Sequence, residues 1–302
     1  MHALGANLAA RVGARTLAIK GASAEHHGLR VERASADADI WVRPPDLERV
    51  TAQLCECGWV RREESQNTSS LVAHSITIVH GSWPCDIDVH WTFPGFLGEA
   101  GYVFDVLWER RQTMTQAGVE VFIPDRAGAV LISALHALRT PVQTPRHAEE
   151  FRMLVDVCAE MSEAERRDIV DLAIETGAVD TARPFLETLR VPLPEPTPPG
   201  VNPALDEWRA RVAADGVVGA QALIAAQRLA WYRRPAAMWH IVWPSERDFR
   251  IDHPEVTPGR GPLLRARFAR LGRGIRQVPA ILRGRRQARR GITETSMLDG
   301  DT

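Results

Sequence analysis

The chain has 302 residues, 45% of them hydrophobic and 25% charged, with a formal net charge of −1. That is the balance of a soluble globular protein with enough apolar material for one large domain or two. It excludes a membrane-spanning chain, since no window approaches the roughly 18–20 uninterrupted apolar residues of a span, and the first residues lack the apolar core of a signal peptide.

The near-neutral total hides an asymmetry. Residues 256–293 hold eleven Arg and no Asp or Glu, so this stretch carries +11 and the remainder −12. Cys55, Cys57, Cys85 and Cys158 make no CxxC pair and no metal-finger spacing, which fits a reduced, cytoplasmic setting with Cys158 as a core residue.

In chain order, Leu4, Leu8 and Val12 are spaced as one helical face leading into a strand at 16–19. Gly21 opens a turn and a short helix through 27. Residues 40–42 read as an apolar strand ended by Pro44-Pro45, and Asp46 is expected to cap a helix whose face is Leu47, Val50 and Leu54. Gly58 stops that helix and Trp59-Val60 starts a strand. Strands are expected at 71–79 and 87–93, and one at 119–123 is expected to close the sheet. From Asp125 onward the pattern is helical, at 129–138, 147–161 and 163–176, with a weaker stretch at 182–189. Residues 191–203 contain six prolines and read as a semi-rigid linker. Helices follow at 204–213 and 217–232, and the Arg-rich tail places apolar residues at helical spacing from 262 to 290. The expected domains are a catalytic domain at 1–123, a helical subdomain at 124–190 and a C-terminal helical region at 204–302.

Three stretches carry chemistry: Ile19-Lys20-Gly21-Ala22-Ser23, Asp37-Ala38-Asp39-Ile40, and Asp86-Ile87-Asp88-Val89-His90-Trp91. Lys20 is the only lysine in the chain. Residues two apart on a strand point the same way, so Asp37 and Asp39 share a face while Ile40 and Val42 continue inward. Carboxylates so close repel unless a cation lies between them, and such oxygen ligands suit Mg²⁺. Asp88 would be the third carboxylate of a two-metal clamp, with Asp86 as the spare and His90 on the same face. Gly21 would let the backbone approach a phosphate, Ser23 would donate to it, and Lys20 and Arg33 would offset its charge.

At these residues the chain resembles the nucleotidyltransferase superfamily that includes DNA polymerase beta. More closely, it resembles an uncharacterised nucleotidyltransferase-like family with a Leu-Lys-Gly turn, an Arg-x-x-x-Asp-x-Asp-apolar strand and a later Asp-apolar-His-Trp. Here these are Ile19-Lys20-Gly21, Arg33 through Ile40, and Asp88-Val89-His90-Trp91. Gly58-Trp59, Leu135-His136-Ala137 and Asp156 also fit, and the likeness covers about residues 10–250. The superfamily's Gly-Ser pair stands here as Gly21-Ala22, with Ser23 one place later.

The resemblance implies an α+β nucleotidyltransferase fold followed by helical bundles. It implies Asp37, Asp39 and Asp88 as catalytic metal ligands for two Mg²⁺ ions, with Lys20, Gly21, Ser23 and Arg33 near the triphosphate. The expected reaction moves a nucleoside monophosphate from a nucleoside triphosphate such as ATP to an acceptor hydroxyl and releases pyrophosphate. Asp37→Asn or Asp39→Asn is then expected to abolish transfer with the melting curve nearly unchanged. The acceptor is left open among small molecule, protein and RNA. Toxin-like nucleotide addition to tRNA or protein, and a degenerate domain that binds without turnover, stand as alternatives. His136, Arg139, His147 and Asp156 are candidates for the acceptor side. The Arg-rich tail is a candidate contact for RNA or an anionic surface, or for the acidic body of the chain itself.

Overall fold

The structure, a computed structural model, describes residues 1–33, 35–65, 74–139, 145–213, 224, 226 and 229–289. These fall in two compact units, one within Met1–Arg62 and His74–Thr197 and the other within Glu63–Ala73 and Pro198–Ser296.

The first unit is built on a five-stranded mixed sheet. Its strands are β1 (Thr16–Ala18), β2 (Asp37–Val42), β3 (Val60–Arg61), β4 (Ser75–Val79) and β5 (Asp86–His90), in the order β1-β2-β5-β4-β3. β2 and β5 run parallel and the other pairings are antiparallel. Period-two alternation sets the faces. Ile40, Val42, Ile87 and Val89 pack against Leu8 of α1 (His2–Arg11) and Val50 and Leu54 of α3 (Leu47–Glu56). Each such fully buried side chain contributes about 1.5–3 kcal/mol. Asp37, Asp39, Asp88 and His90 therefore take the opposite face, where Trp41 packs on Phe93 and Phe96.

Two local expectations differ from what is observed. Asp46 directly precedes α3 but makes no capping bond; its carboxylate pairs with Arg49 instead. The strand β7 (Val119–Ile123) does not close the main sheet. It pairs with β6 (Gln112–Gln116) as a separate two-stranded ribbon. Ala117 and Gly118 join them, with φ of 49° and 75°. Positive φ at both positions is the tight turn that matches strand twist. Met114, Val121 and Ile123 of the ribbon pack on Ala3, Ala18 and Ala22.

Helix α4 (Ala100–Glu109) is capped by Glu99, which accepts from the Gly101 and Tyr102 amides. Helices α5 (Arg126–Leu138), α6 (Pro145–Ala159) and α7 (Glu163–Glu175) follow, then the short α8 (Arg183–Leu186). Asp125 caps α5, and Ser162 with Glu165 forms a capping box on α7. Gly95 seats α5 closely. It has φ +106°, and a Cβ there would lie 2.5 Å from Leu135 Cδ2.

The second unit contains α9 (Pro203–Ala213), α10 (Arg234–Val242), α11 (Glu246–Asp252) and α12 (Arg260–Arg289). Most of the helix expected at 217–232 lies outside the described residues. On the Arg-rich α12, Arg267 stacks over Trp243 at 5.0 Å and donates to the Pro244 carbonyl, and Arg270 donates to Ile241. Part of the tail thus packs within its own unit, while Leu264, Phe268 and Ile275 are exposed. Among the described residues no helix is long and apolar enough to cross a membrane.

Candidate nucleotide and metal site

Parallel pairing brings the two acidic strands into step: Asp37 lies opposite Asp86 and Asp39 opposite Asp88. One ligand atom each of Asp39, Asp88 and His90 lies within 4.8 Å of the others. Asp39 and Asp88 open on a cleft of about 350 Å³, also lined by Lys20, Gly21, Arg30, Arg33 and Asp37, with His136 and Arg139 on the α5 side. That volume is in the range of small-ligand pockets.

Asp39 is the centre of the cluster. It is 5% exposed, and its Oδ1 accepts from Lys20 Nζ at 2.5 Å and from His90 Nε2 at 2.8 Å. Burial pushes its carboxyl up, but the His90 hydrogen bond and the Lys20 charge outweigh this and hold it well below the ordinary carboxylate range. For His90, burial outweighs the Asp39 hydrogen bond and holds the imidazole below its usual value. An ionised carboxylate only accepts, so the ring nitrogen facing Asp39, Nε2, is the one that carries a proton and donates. Nδ1 is buried and has no hydrogen-bond partner among the described residues.

Thr77 Oγ1 on β4 donates to Asp88 Oδ1 at 2.6 Å, because Thr77 lies directly opposite Asp88 in the ladder. Among the described residues the hydrogen bonds to Asp39 and Asp88 all fall on Oδ1 atoms, which leaves both Oδ2 atoms for another ligand. Two carboxylates lining a polar cleft, each already held by a hydrogen-bond donor, are a set that fits a hard divalent cation. The Lys20 ammonium sits on the same carboxylate as a competing cation.

The expected site residues divide as follows. Asp39, Asp88, Lys20, Gly21, Arg33 and Asp37 all line the cleft. Asp37 stays outside the tight cluster, at the exposed end of β2, with Ser35 Oγ donating to it at 2.9 Å. Arg33 pairs with Glu150 of α6. Ser23 does not line the cleft. It is buried in α2 (Gly21–His26), about 200° round the helix from Gly21, whereas Ala24 returns to the cleft side. Asp86 pairs with Arg62, and Asp156 is exposed on α6. The side chain of His147 lies outside the described residues.

Arg30 and Thr77 were missed. Arg30 lines the cleft, bonds Glu25 Oε1 through Nε at 3.0 Å and Nη2 at 2.6 Å, and its guanidinium lies over Gly21. Nothing in the local sequence separates Arg30 from other arginines. Thr77 could have been found only from the β4–β5 register.

The backbone at Lys20 is unusual. Its φ of 55° and ψ of −121° lie where glycine is at ease and a side chain is strained. The turn ends β1 and starts α2, and it aims the ammonium back across the sheet edge at Asp39.

Comparison with solved structures gives a likeness to the solution structure of the antibiotic-resistance factor ANT(2'')-Ia, at 14% identity and a TM-score of 0.38, covering 62% of this chain and 91% of that one. No curated protein matches. The family described as "Uncharacterised nucleotidyltransferase" matches residues 6–191, more than half of the chain, and the chain belongs to that family.

Proposed function

We infer that the cleft moves a nucleoside monophosphate from a nucleoside triphosphate, ATP among them, to an acceptor hydroxyl, releasing pyrophosphate, with two Mg²⁺ ions held by Asp37, Asp39 and Asp88. The observation that carries this reading is the parallel register of β2 and β5, which sets Asp39 beside Asp88 in a cleft also lined by Lys20, Arg30 and Arg33. Bound there, Mg²⁺ would lower the pKa of the acceptor hydroxyl and offset charge on the phosphates.

The protein groups then have distinct tasks. Lys20, Arg30 and Arg33 face the triphosphate and balance charge as it gathers on the leaving pyrophosphate. Thr77 and His90 fix the rotamers of Asp88 and Asp39. Asp88 accepts the acceptor's proton as the new O–P bond forms at the alpha-phosphorus. The bond to the beta-phosphate oxygen breaks in line, and pyrophosphate departs with that electron pair. His136 and Arg139 face the acceptor from α5.

One observation favours a second reading. The Lys20–Asp39 ion pair would also serve a nucleotide-binding domain without turnover, in which the ammonium permanently holds the cation position. Alpha-labelled triphosphates incubated with the full chain, Mg²⁺ and a cell extract separate the two. Label appearing on one acceptor species supports transfer, and nucleotide binding with no labelled acceptor and no pyrophosphate supports the second reading.

A further inference from the structure

We propose that Lys20 is the resident counter-cation of Asp39: it neutralises the carboxylate while the cleft is empty and yields it, moving to the triphosphate, when nucleotide and divalent ion load together. This rests on the nucleotide-and-metal reading of the cleft.

Two other cleft cations have other partners, since Arg30 is held by Glu25 and Arg33 by Glu150. Lys20 sits on a carboxylate of the acidic cluster, and both groups are largely dry, with side-chain exposures of 16% and 7%. An ionised Asp39 beside Asp88 needs a positive charge there. The ammonium supplies one without closing the site, because its hydrogen bond falls on Oδ1.

Residue type and backbone both suit an exchange. An ammonium on a flexible four-carbon stem can change partners, whereas a guanidinium would lock a carboxylate through two bonds. The chain tolerates strained backbone at residue 20 rather than placing glycine there, and such strain persists where the side chain has a task. The site's own cation therefore competes with a metal that arrives alone. A triphosphate removes the competition by offering Lys20 a new anion. Metal and nucleotide then assist one another, and linkage requires the assistance to be mutual.

The test is calorimetric titration of Mn²⁺ into the full chain, with and without an α,β-methylene triphosphate that cannot be turned over. In the wild type the analogue should tighten Mn²⁺ by roughly ten-fold or more. In Lys20→Met and Lys20→Gly, Mn²⁺ alone should bind roughly ten-fold tighter than in the wild type, and most of the gain from the analogue should vanish. Glycine accepts the backbone at this position, so a folding defect in the methionine variant does not decide the outcome. Arg30→Gln removes a cleft cation that does not touch Asp39 and should shift Mn²⁺ affinity by less than roughly three-fold, the scale of a screened charge. If both Lys20 variants bind Mn²⁺ alone no tighter than the wild type, the exchange is wrong while the site reading stands. If the folded wild type binds neither Mn²⁺ nor the analogue, the site reading fails and takes the exchange with it.

Discussion

Replacing Asp39 with Asn separates the structural from the chemical role of the acidic cluster. The substitution keeps an oxygen in place for the His90 and Lys20 hydrogen bonds but removes the charge from a pair whose members are 7% and 16% exposed. Breaking a buried pair by removing one charge costs about 3–5 kcal/mol when the other charge stays trapped. Lys20 can swing partly toward the open cleft, so a loss of about 2–3 kcal/mol is expected. At the roughly 2–4 °C per kcal/mol typical of this size, the first unit should melt about 5–10 °C lower. Asp37, exposed and bonded only by Ser35 among the described residues, should lose less than about 0.5 kcal/mol on the same change.

The two variants should therefore differ in melting curve yet share a loss of transfer of at least a hundredfold, about 3 kcal/mol. On this reasoning a nearly unchanged melt is predicted for Asp37 but no longer for Asp39, whose burial was not visible in the sequence. Acid adds a further reading. Asp39 titrates lower in the folded chain than its ordinary 3.8, so its contribution is present above that value and is lost as the pH falls below it. The Asn variant should lack that slope. Thermal and urea melts across pH, paired with pyrophosphate assays, provide the check. An Asp39→Asn variant that melts like the wild type would refute the energetic role given to the Lys20 pair.

His90→Gln removes the ring that orients Asp39 and should weaken Mn²⁺ binding about 10–100-fold, measured by titration in the presence of nucleotide analogue; unchanged affinity would leave His90 a packing residue. Burial lowers His2 to about 4, and its Nε2 has no hydrogen-bond partner among the described residues. Its ordinary value is 6.5, so the unfolded chain takes up the proton first. Stability should fall by about 3 kcal/mol as the pH drops from 6.5 to 4, and His2→Asn should flatten that slope in urea titrations. Gly95→Ala places a Cβ against Leu135 in a backbone conformation that disfavours it, and should cost about 1–3 kcal/mol by thermal melt. Because Leu135 adjoins His136, the same variant should also alter the acceptor side of the cleft, seen as a raised KM.

The acidic strands were legible because their apolar partners are spaced by two. Ile40 and Val42, and likewise Ile87 and Val89, commit one face of each strand to α1 and α3, which forces the aspartates onto the other. Strand order is what the sequence could not supply. The Lys20–Asp39 and Thr77–Asp88 contacts are set by which strands neighbour one another, and no spacing along the chain states that. The short helix after Gly21 was legible, but which way it turns Ser23 was not: two residues past Gly21 the helical rotation carries the hydroxyl into the core. The β6–β7 ribbon was hidden by an Ala117-Gly118 turn without the usual Asn-Gly signature, and α4 by a glutamate cap where Ser, Thr, Asp or Asn is the common signal.

The most direct measurement is pyrophosphate release from Mg²⁺ and each nucleoside triphosphate, with cell extract as the acceptor source, for the wild type and for Asp88→Asn. Asp88 faces the cleft and is only partly buried, so the variant should remain folded. Release by the wild type that falls at least a hundredfold in folded Asp88→Asn, about 3 kcal/mol in the barrier, is what nucleotidyl transfer at this cleft predicts. Equal release from both proteins would place the chemistry elsewhere and contradict it.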